Sequence, residues 1–201
     1  MSFEFNYRHT PYLFYIPAKY HHCTLNNFDF HSDKIVGKAV RGFIEGDVKG
    51  IFFYGGFGVG KTHLLVSIYR VMVSKEDDIS DIHYTSLEAV MQKLQNLLAA
   101  KENPEKETPN DYIDYLVDID LLFLDDITAA NFQDRWTNEV LRKIINGRYE
   151  NDLRTCFTSN AGPKELMDIG LHGHAVSRIE EMCDIVKIGG KDRRVRRKKE
   201  E

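Results

Sequence analysis

Gly50-Ile-Phe-Phe-Tyr-Gly-Gly-Phe-Gly-Val-Gly-Lys-Thr62 decides the fold. Its second part fits the pattern G-x-x-x-x-G-K-[ST], with Gly55, Gly60, Lys61 and Thr62 at the fixed positions. Residues 50–54 are a short apolar run of strand formers, and 63–73 (His-Leu-Leu-Val-Ser-Ile-Tyr-Arg-Val-Met-Val) read as a helix. Strand, glycine loop and helix in that order make an anion-capturing device. Glycines let backbone N–H groups converge on a polyphosphate, and the helix adds its positive N-terminal end. Gly55, Gly56, Phe57, Gly58, Val59, Gly60, Lys61, Thr62 and His63 are therefore the candidate nucleotide-binding residues. Lys61 is expected on the β- and γ-phosphates of ATP, and Thr62 on Mg²⁺ through its hydroxyl. A ligand-free glycine turn is the alternative, but a turn needs no Gly-Lys-Thr ending.

Such a loop requires an acidic partner, and Leu121-Leu-Phe-Leu-Asp-Asp126 supplies one. Four apolar residues place a strand inside a sheet, and its acids fall at the C-terminal end, where ligands sit in open α/β sheets. Asp125 is expected to hold Mg²⁺ with Thr62. Asp126 is the candidate general base on the attacking water. Thr155-Cys-Phe-Thr-Ser-Asn160 is a further strand. If it lies beside the Asp125 strand, Asn160 sits near the γ-phosphate and orients that water.

The remaining pattern alternates strands with helices. Helices are expected over 33–45, from the loop to about 74, over 131–149 and 174–182, and from Gly162-Pro163. Strands are expected at 50–54, 82–85, 120–126, 154–159 and 184–188. Thr85 and Glu88 are spaced as a capping box before a helix that faces inward with Leu87, Val90, Met91, Leu94, Leu97 and Leu98. Thr108-Pro109 opens another short helix. The fold class is α/β: a P-loop NTPase three-layer fold around a central parallel sheet. Residues 1–30, rich in Phe, Tyr and His, read as an extended arm on a core spanning 31–190, with a basic tail over 191–201.

Composition agrees with one domain. The 201 residues are 42% hydrophobic and 29% charged, with a net charge of −4. No apolar run approaches the ~20 residues of a membrane span. The start shows no signal-peptide pattern, and Cys23, Cys156 and Cys183 form no metal pattern, so a reduced cytoplasmic setting and no membrane partner are expected. His21-His22-Cys23 has ligand-type side chains but no second half along the chain. The tail, with Lys191, Arg193, Arg194, Arg196, Arg197, Lys198 and Lys199, is suited to a phosphate backbone or an acidic partner, or is a solvated end.

The order of these motifs, with Ile-Ile-Asn-Gly-Arg-Tyr-Glu-Asn at 144–151 and Val-Ser-Arg-Ile-Glu-Glu-Met-Cys at 176–183, resembles the AAA+ ATPases of the DnaC/DnaI helicase-loader group. The transposition helper IstB is similar, and the initiator DnaA more distantly so. The leader 16–28 resembles the segment before the ATPase core of loaders. The resemblance implies an ATPase with ATP and Mg²⁺ as cofactors whose hydrolysis is a switch, and Asp126, one methylene shorter than the Glu common at this place in fast ATPases, suggests slow turnover. The resemblance also implies a replicative DNA helicase, single-stranded DNA and further copies of the chain as partners, in a ring or filament. Arg178 matches the arginine finger acting on a neighbour's ATP, and Arg194 a nucleotide-contacting arginine. The resemblance puts DNA contacts at about 86–116, where Gln92 and Lys93 are expected exposed and Lys101 is a further candidate. Only 23 residues follow Arg178, fewer than the helical lid of typical AAA+ proteins needs, so an AAA+ core lacking the C-terminal helical lid is expected, as in DnaC-like proteins. The short stretch before the core departs from loaders with a helicase-gripping N-terminal domain. An IstB-like helper, a P-loop small-molecule kinase and a nucleotide-gated binding protein without hydrolysis are the other readings.

Overall fold

The computed structural model describes residues 16–30, 34–75, 81–100, 107–129 and 132–193. In chain order the helices are α1 (Lys34–Glu45), α2 (Lys61–Lys75), α3 (Leu87–Ala99), α4 (Pro109–Asp118), α5 (Arg135–Glu150), α6 (Pro163–Asp168) and α7 (Gly173–Met182). The strands are β1 (Gly50–Tyr54), β2 (Ile82–Ser86), β3 (Leu121–Asp125), β4 (Arg154–Ser159) and β5 (Asp184–Lys187). They form one sheet in the order β2-β3-β4-β1-β5, with every pair parallel.

Alternation along the strands makes the three layers. Ile51, Phe53, Leu121, Phe123 and Cys156 pack with α1 and α2 on one face. Phe52, Leu122, Leu124 and Phe157 pack with α3, α4, α5 and α7 on the other. A two-residue side-chain period sends neighbours to opposite faces, so a strand buried on both sides reads as a continuous apolar run. Residues 16–30 lie on the α2 side as two 3₁₀ turns, Ala18–Tyr20 and Leu25–Asn27, and bury Ile16, Cys23, Leu25, Phe28 and Phe30 in that core.

Some local expectations shift. The cap of α3 is Ser86, the last residue of β2, whose hydroxyl accepts from the Ala89 N–H, one position later than the expected Thr85. Leu98 is 63% exposed, since the apolar stripe of α3 turns to solvent in its last turn. Helix α5 begins at Arg135 behind an Asp134 cap, and Phe132 is buried in the turn before it. Asp126 falls outside β3 with a φ of 45°. At α4 the expected Thr108–Pro109 start holds, with Thr108 and Asp111 capping each other.

Candidate nucleotide site

Strand order builds the site. β4 lies between β1, which leads into the glycine loop, and β3, which ends at Asp125. The register pairs Tyr54 with Ser159 and Leu124 with Phe157, so all three strands end at one edge. The side chains at the end of β4 therefore stand between the loop and the acids.

The loop runs into the first turn of α2. Gly58 and Gly60 have φ of 72° and 110°, a region that favours glycine. A Cβ on Gly60 would also lie 2.8 Å from the Phe28 ring. The Lys61 ammonium is buried and donates to the carbonyls of Gly55 and Gly56, both at 2.8 Å. It is thus held over the loop, beside the N-terminal end of a 15-residue helix whose dipole favours an anion.

Asp125 is the hub. Its Oδ1 accepts from Thr62 Oγ1 at 3.2 Å and Thr158 Oγ1 at 2.5 Å, and its Oδ2 from the Tyr84 hydroxyl at 2.9 Å. Burial raises its pKa; the hydrogen bonds from Thr158, Tyr84 and Thr62 pull the other way without reversing the shift. A buried carboxyl that prefers to lose charge gains most from a cation beside it. The Thr62 hydroxyl and the Asp125 carboxylate are hard oxygen donors at a spacing that fits neighbouring positions around Mg²⁺.

Asp126 and Asn160 meet directly. Asp126 Oδ1 accepts from Asn160 Nδ2 at 3.1 Å and from Thr128 Oγ1 at 2.8 Å. Thr128 Oγ1 also accepts from the Asn160 N–H at 2.9 Å. The left-handed turn at Asp126 is secured by its N–H, which donates to Thr158 Oγ1 at 2.7 Å. Both of these side-chain hydrogen bonds fall on Oδ1 of Asp126. Strained backbone of this kind concentrates at working sites.

Beside the loop lies a cavity of about 530 Å³, lined on one side by Tyr20, His22 and Asn27 and on the other by Gly60, Thr62 and His63. That volume is in the range of small-ligand pockets. His63 Nε2 lies 3.0 Å from the Thr24 carbonyl, tying the wall to α2. Arg193 stacks over the Phe28 ring at 4.3 Å, and its N–H donates to the Gly58 carbonyl at 3.0 Å. Arg194 lies outside the described residues.

Arg178 is placed elsewhere. It pairs with Glu150 at 3.1 Å and lies 5.2 Å from the centroid of the Tyr149 ring, both at the C-terminal end of α5. Its Nη1 is buried with no hydrogen-bond partner among the described residues. Of the expected DNA-facing pair, Gln92 is exposed but Lys93 is half-buried. Lys93 pairs with Glu107 at 3.0 Å and sits 3.7 Å over the Tyr112 ring. Lys101 lies outside the described residues.

Three parts of the site escaped sequence reasoning. Thr158 was visible in the Thr-Ser-Asn stretch, and its place at the C-terminal end of β4, two residues before Asn160, is the signal that it faces the acids. Tyr84 is identified by register, since β2 pairs with β3 only after folding. Thr128 follows the acids by two residues, a spacing typical of side-chain turns.

Comparison with known proteins gives a consistent result. The family model of the bacterial DnaA ATPase domain matches residues 24–183. The replicative helicase loader DnaI of Bacillus subtilis is 31% identical over 121 residues, covering 60% of this chain and 36% of that protein. This chain thus matches little more than a third of that relative. The solved replication initiator DnaA bound to AMPPCP and single-stranded DNA superposes with a TM-score of 0.69 at 26% identity, covering 88% of this chain and 52% of that one. The DnaC helicase loader shares the fold, with a TM-score of 0.70 at 23% identity over 86% of this chain and all of that one.

Proposed function

The chain belongs to the bacterial DnaA ATPase-domain family, and on that premise we propose that it is an ATP- and Mg²⁺-dependent AAA+ ATPase that serves helicase loading in DNA replication. The observation that carries the reading is the joined pair of contacts across β4. Thr62 meets Asp125 at 3.2 Å on the loop side, and Asn160 meets Asp126 at 3.1 Å on the water side.

In this mechanism the loop amides, Lys61 and the α2 dipole hold the β- and γ-phosphates. Thr62 and Asp125 would hold Mg²⁺, which neutralises charge on the phosphate oxygens. Asn160 fixes Asp126, and Asp126 orients and polarises the water in line with the γ-phosphorus. The cavity faced by Tyr20, Asn27 and His63 receives the base and ribose. Arg178 acts on the ATP of a neighbouring copy, so hydrolysis depends on assembly. Asp126 is one methylene shorter than a Glu and carries its water further from the phosphate, which suits slow, switch-like turnover.

The relatives point to the partners: the Bacillus subtilis protein is a helicase loader, and the DnaA structure is described with single-stranded DNA. The test is a pull-down with the cognate replicative helicase. Helicase is retained with ATP and lost without it or with Lys61→Ala. Duplex bending without helicase capture means a transposition helper instead. Phosphate appearing on a small metabolite rather than as free phosphate means a kinase.

A further inference from the structure

We propose that His22, Cys23 and His63 form a binding site for a borderline-soft divalent metal ion of the Zn²⁺ class. Along the chain, His22-Cys23 lacks a second half. Folding supplies it by laying the turn after Tyr20 against the first turn of α2. One donor atom from each of the three residues then lies within 4.8 Å of the others. Cys23 Sγ and His22 Nε2 are 3.9 Å apart, and the two imidazole rings stand edge to face with centroids 6.3 Å apart.

A tetrahedral ion with Zn–N near 2.0 Å and Zn–S near 2.3 Å needs donor separations of about 3.3–3.6 Å. The observed spacing reaches that with side-chain rotation of about an ångström, and His22 is exposed and can rotate. The backbone beneath is firmly placed. The Cys23 N–H donates to the Tyr20 carbonyl at 2.9 Å, Arg70 donates to the Cys23 carbonyl at 3.3 Å, and Ser67 donates to the His63 carbonyl at 2.6 Å. A carbonyl only accepts, so the 3.0 Å contact to Thr24 puts the His63 hydrogen on Nε2 and leaves the lone pair on Nδ1. An outer carbonyl that orients a histidine in this way is a regular companion of metal sites.

The donor set selects the ion. One thiolate and two imidazoles suit Zn²⁺ or Co²⁺ and not the oxygen-seeking Mg²⁺ or Ca²⁺. Binding releases the Cys23 thiol proton to solvent, and the fourth position is left to water. The site is separate from the Thr62–Asp125 pair but adjoins it, since His63 follows Thr62 in sequence and lines the same cavity. A bound ion staples residues 22–24 to α2. The metal site stands on its own geometry and does not rest on the ATPase reading.

Titration of the tag-free, metal-stripped chain with Co²⁺ tests it. The expected result is 1:1 binding with a thiolate-to-cobalt charge-transfer band, displaced by Zn²⁺. Cys23→Ser removes the band. His22→Ala, at an exposed position that leaves the core intact, weakens Co²⁺ binding at least about 10-fold, the low end of losses seen even for outer-sphere partners. No charge-transfer band in the folded wild type overturns the proposal. So does a band that survives Cys23→Ser, which would place the thiolate at Cys156 or Cys183, or an affinity unchanged in His22→Ala.

Discussion

Acid should destabilise this protein through one identifiable ring. His83, on β2, stacks edge-on against Tyr115 with centroids 5.4 Å apart. Its pKa is lowered from 6.5 to about 4, first by burial and then by the Lys93 ammonium, which is itself paired with Glu107. The folded chain keeps the ring neutral where the unfolded chain protonates it. The unfolded state therefore binds more protons, and stability rises with pH. The contribution is present in full above 6.5 and lost as pH falls towards 4. At pH 5 the loss spans about 1.5 units, or about 2 kcal/mol at 1.36 kcal/mol per unit. The perturbation is His83→Gln, which keeps a polar side chain but does not titrate. Urea unfolding followed by circular dichroism at pH 7 and pH 5 gives four stabilities. Wild type should lose about 2 kcal/mol more than the variant between the two, because carboxyl titrations common to both cancel. Equal losses would refute the burial argument.

The other tests bear on the nucleotide site. Lys61→Ala should abolish ATP binding in a fluorescent-nucleotide titration, whereas Asp126→Asn should bind ATP and stall hydrolysis; an Asp126→Asn chain that still releases phosphate at the wild-type rate removes Asp126 from its role. Thr158→Val strips a donor from buried Asp125 and an acceptor from the Asp126 N–H, so about 1–3 kcal/mol of stability should go, together with hydrolysis. Unchanged urea midpoint and phosphate release would contradict the hub geometry. Arg178→Ala should leave ATP binding of the single chain intact and eliminate only the hydrolysis gained on assembly. If it binds ATP as poorly as Lys61→Ala does, Arg178 works within its own chain.

What could be read from the sequence was whatever one short window specifies. The strand at 50–54 and the loop are local, so the pattern placed them where they are observed, and α2 opens at Lys61, two residues before the run read as a helix. Pairing across the sheet is not local. Tyr84 reaches Asp125 only because β2 lies beside β3, and no spacing along the chain encodes that. Arg148 shows the same limit from the side of stability. It lies in the last turn of α5, where a cation ordinarily stays in solvent, yet it is fully buried. Its guanidinium donates to the carbonyls of Leu116, Ile119 and Arg154 and to Thr155 Oγ1, at 2.6–2.9 Å. Those carbonyls end α4, precede β3 and begin β4, so one cation ties together three elements far apart in sequence. Burial lowers its pKa to about 10, still well above neutrality.

The position of Arg178 follows from the same topology. The phosphate loop leaves the C-terminal end of β1, and Asp125 ends β3 at that edge. Glu150, the partner of Arg178, ends α5 three residues before Leu153 leads into β4, at the opposite edge. Lys49 and Asp152 pair there, just ahead of the first residues of β1 and β4. The two edges are separated by the length of a strand, about 16 Å at 3.3 Å per residue. A guanidinium held by Glu150 on one edge has no short path to a γ-phosphate on the other. Charge stabilisation at phosphoryl transfer needs direct contact, so if Arg178 is the finger we propose, it serves a nucleotide brought to it by a second copy. Glu150 would then be the group that holds the finger until a neighbour's phosphates compete for it, and Nη1, which has no hydrogen-bond partner among the described residues, would be the nitrogen that reaches them.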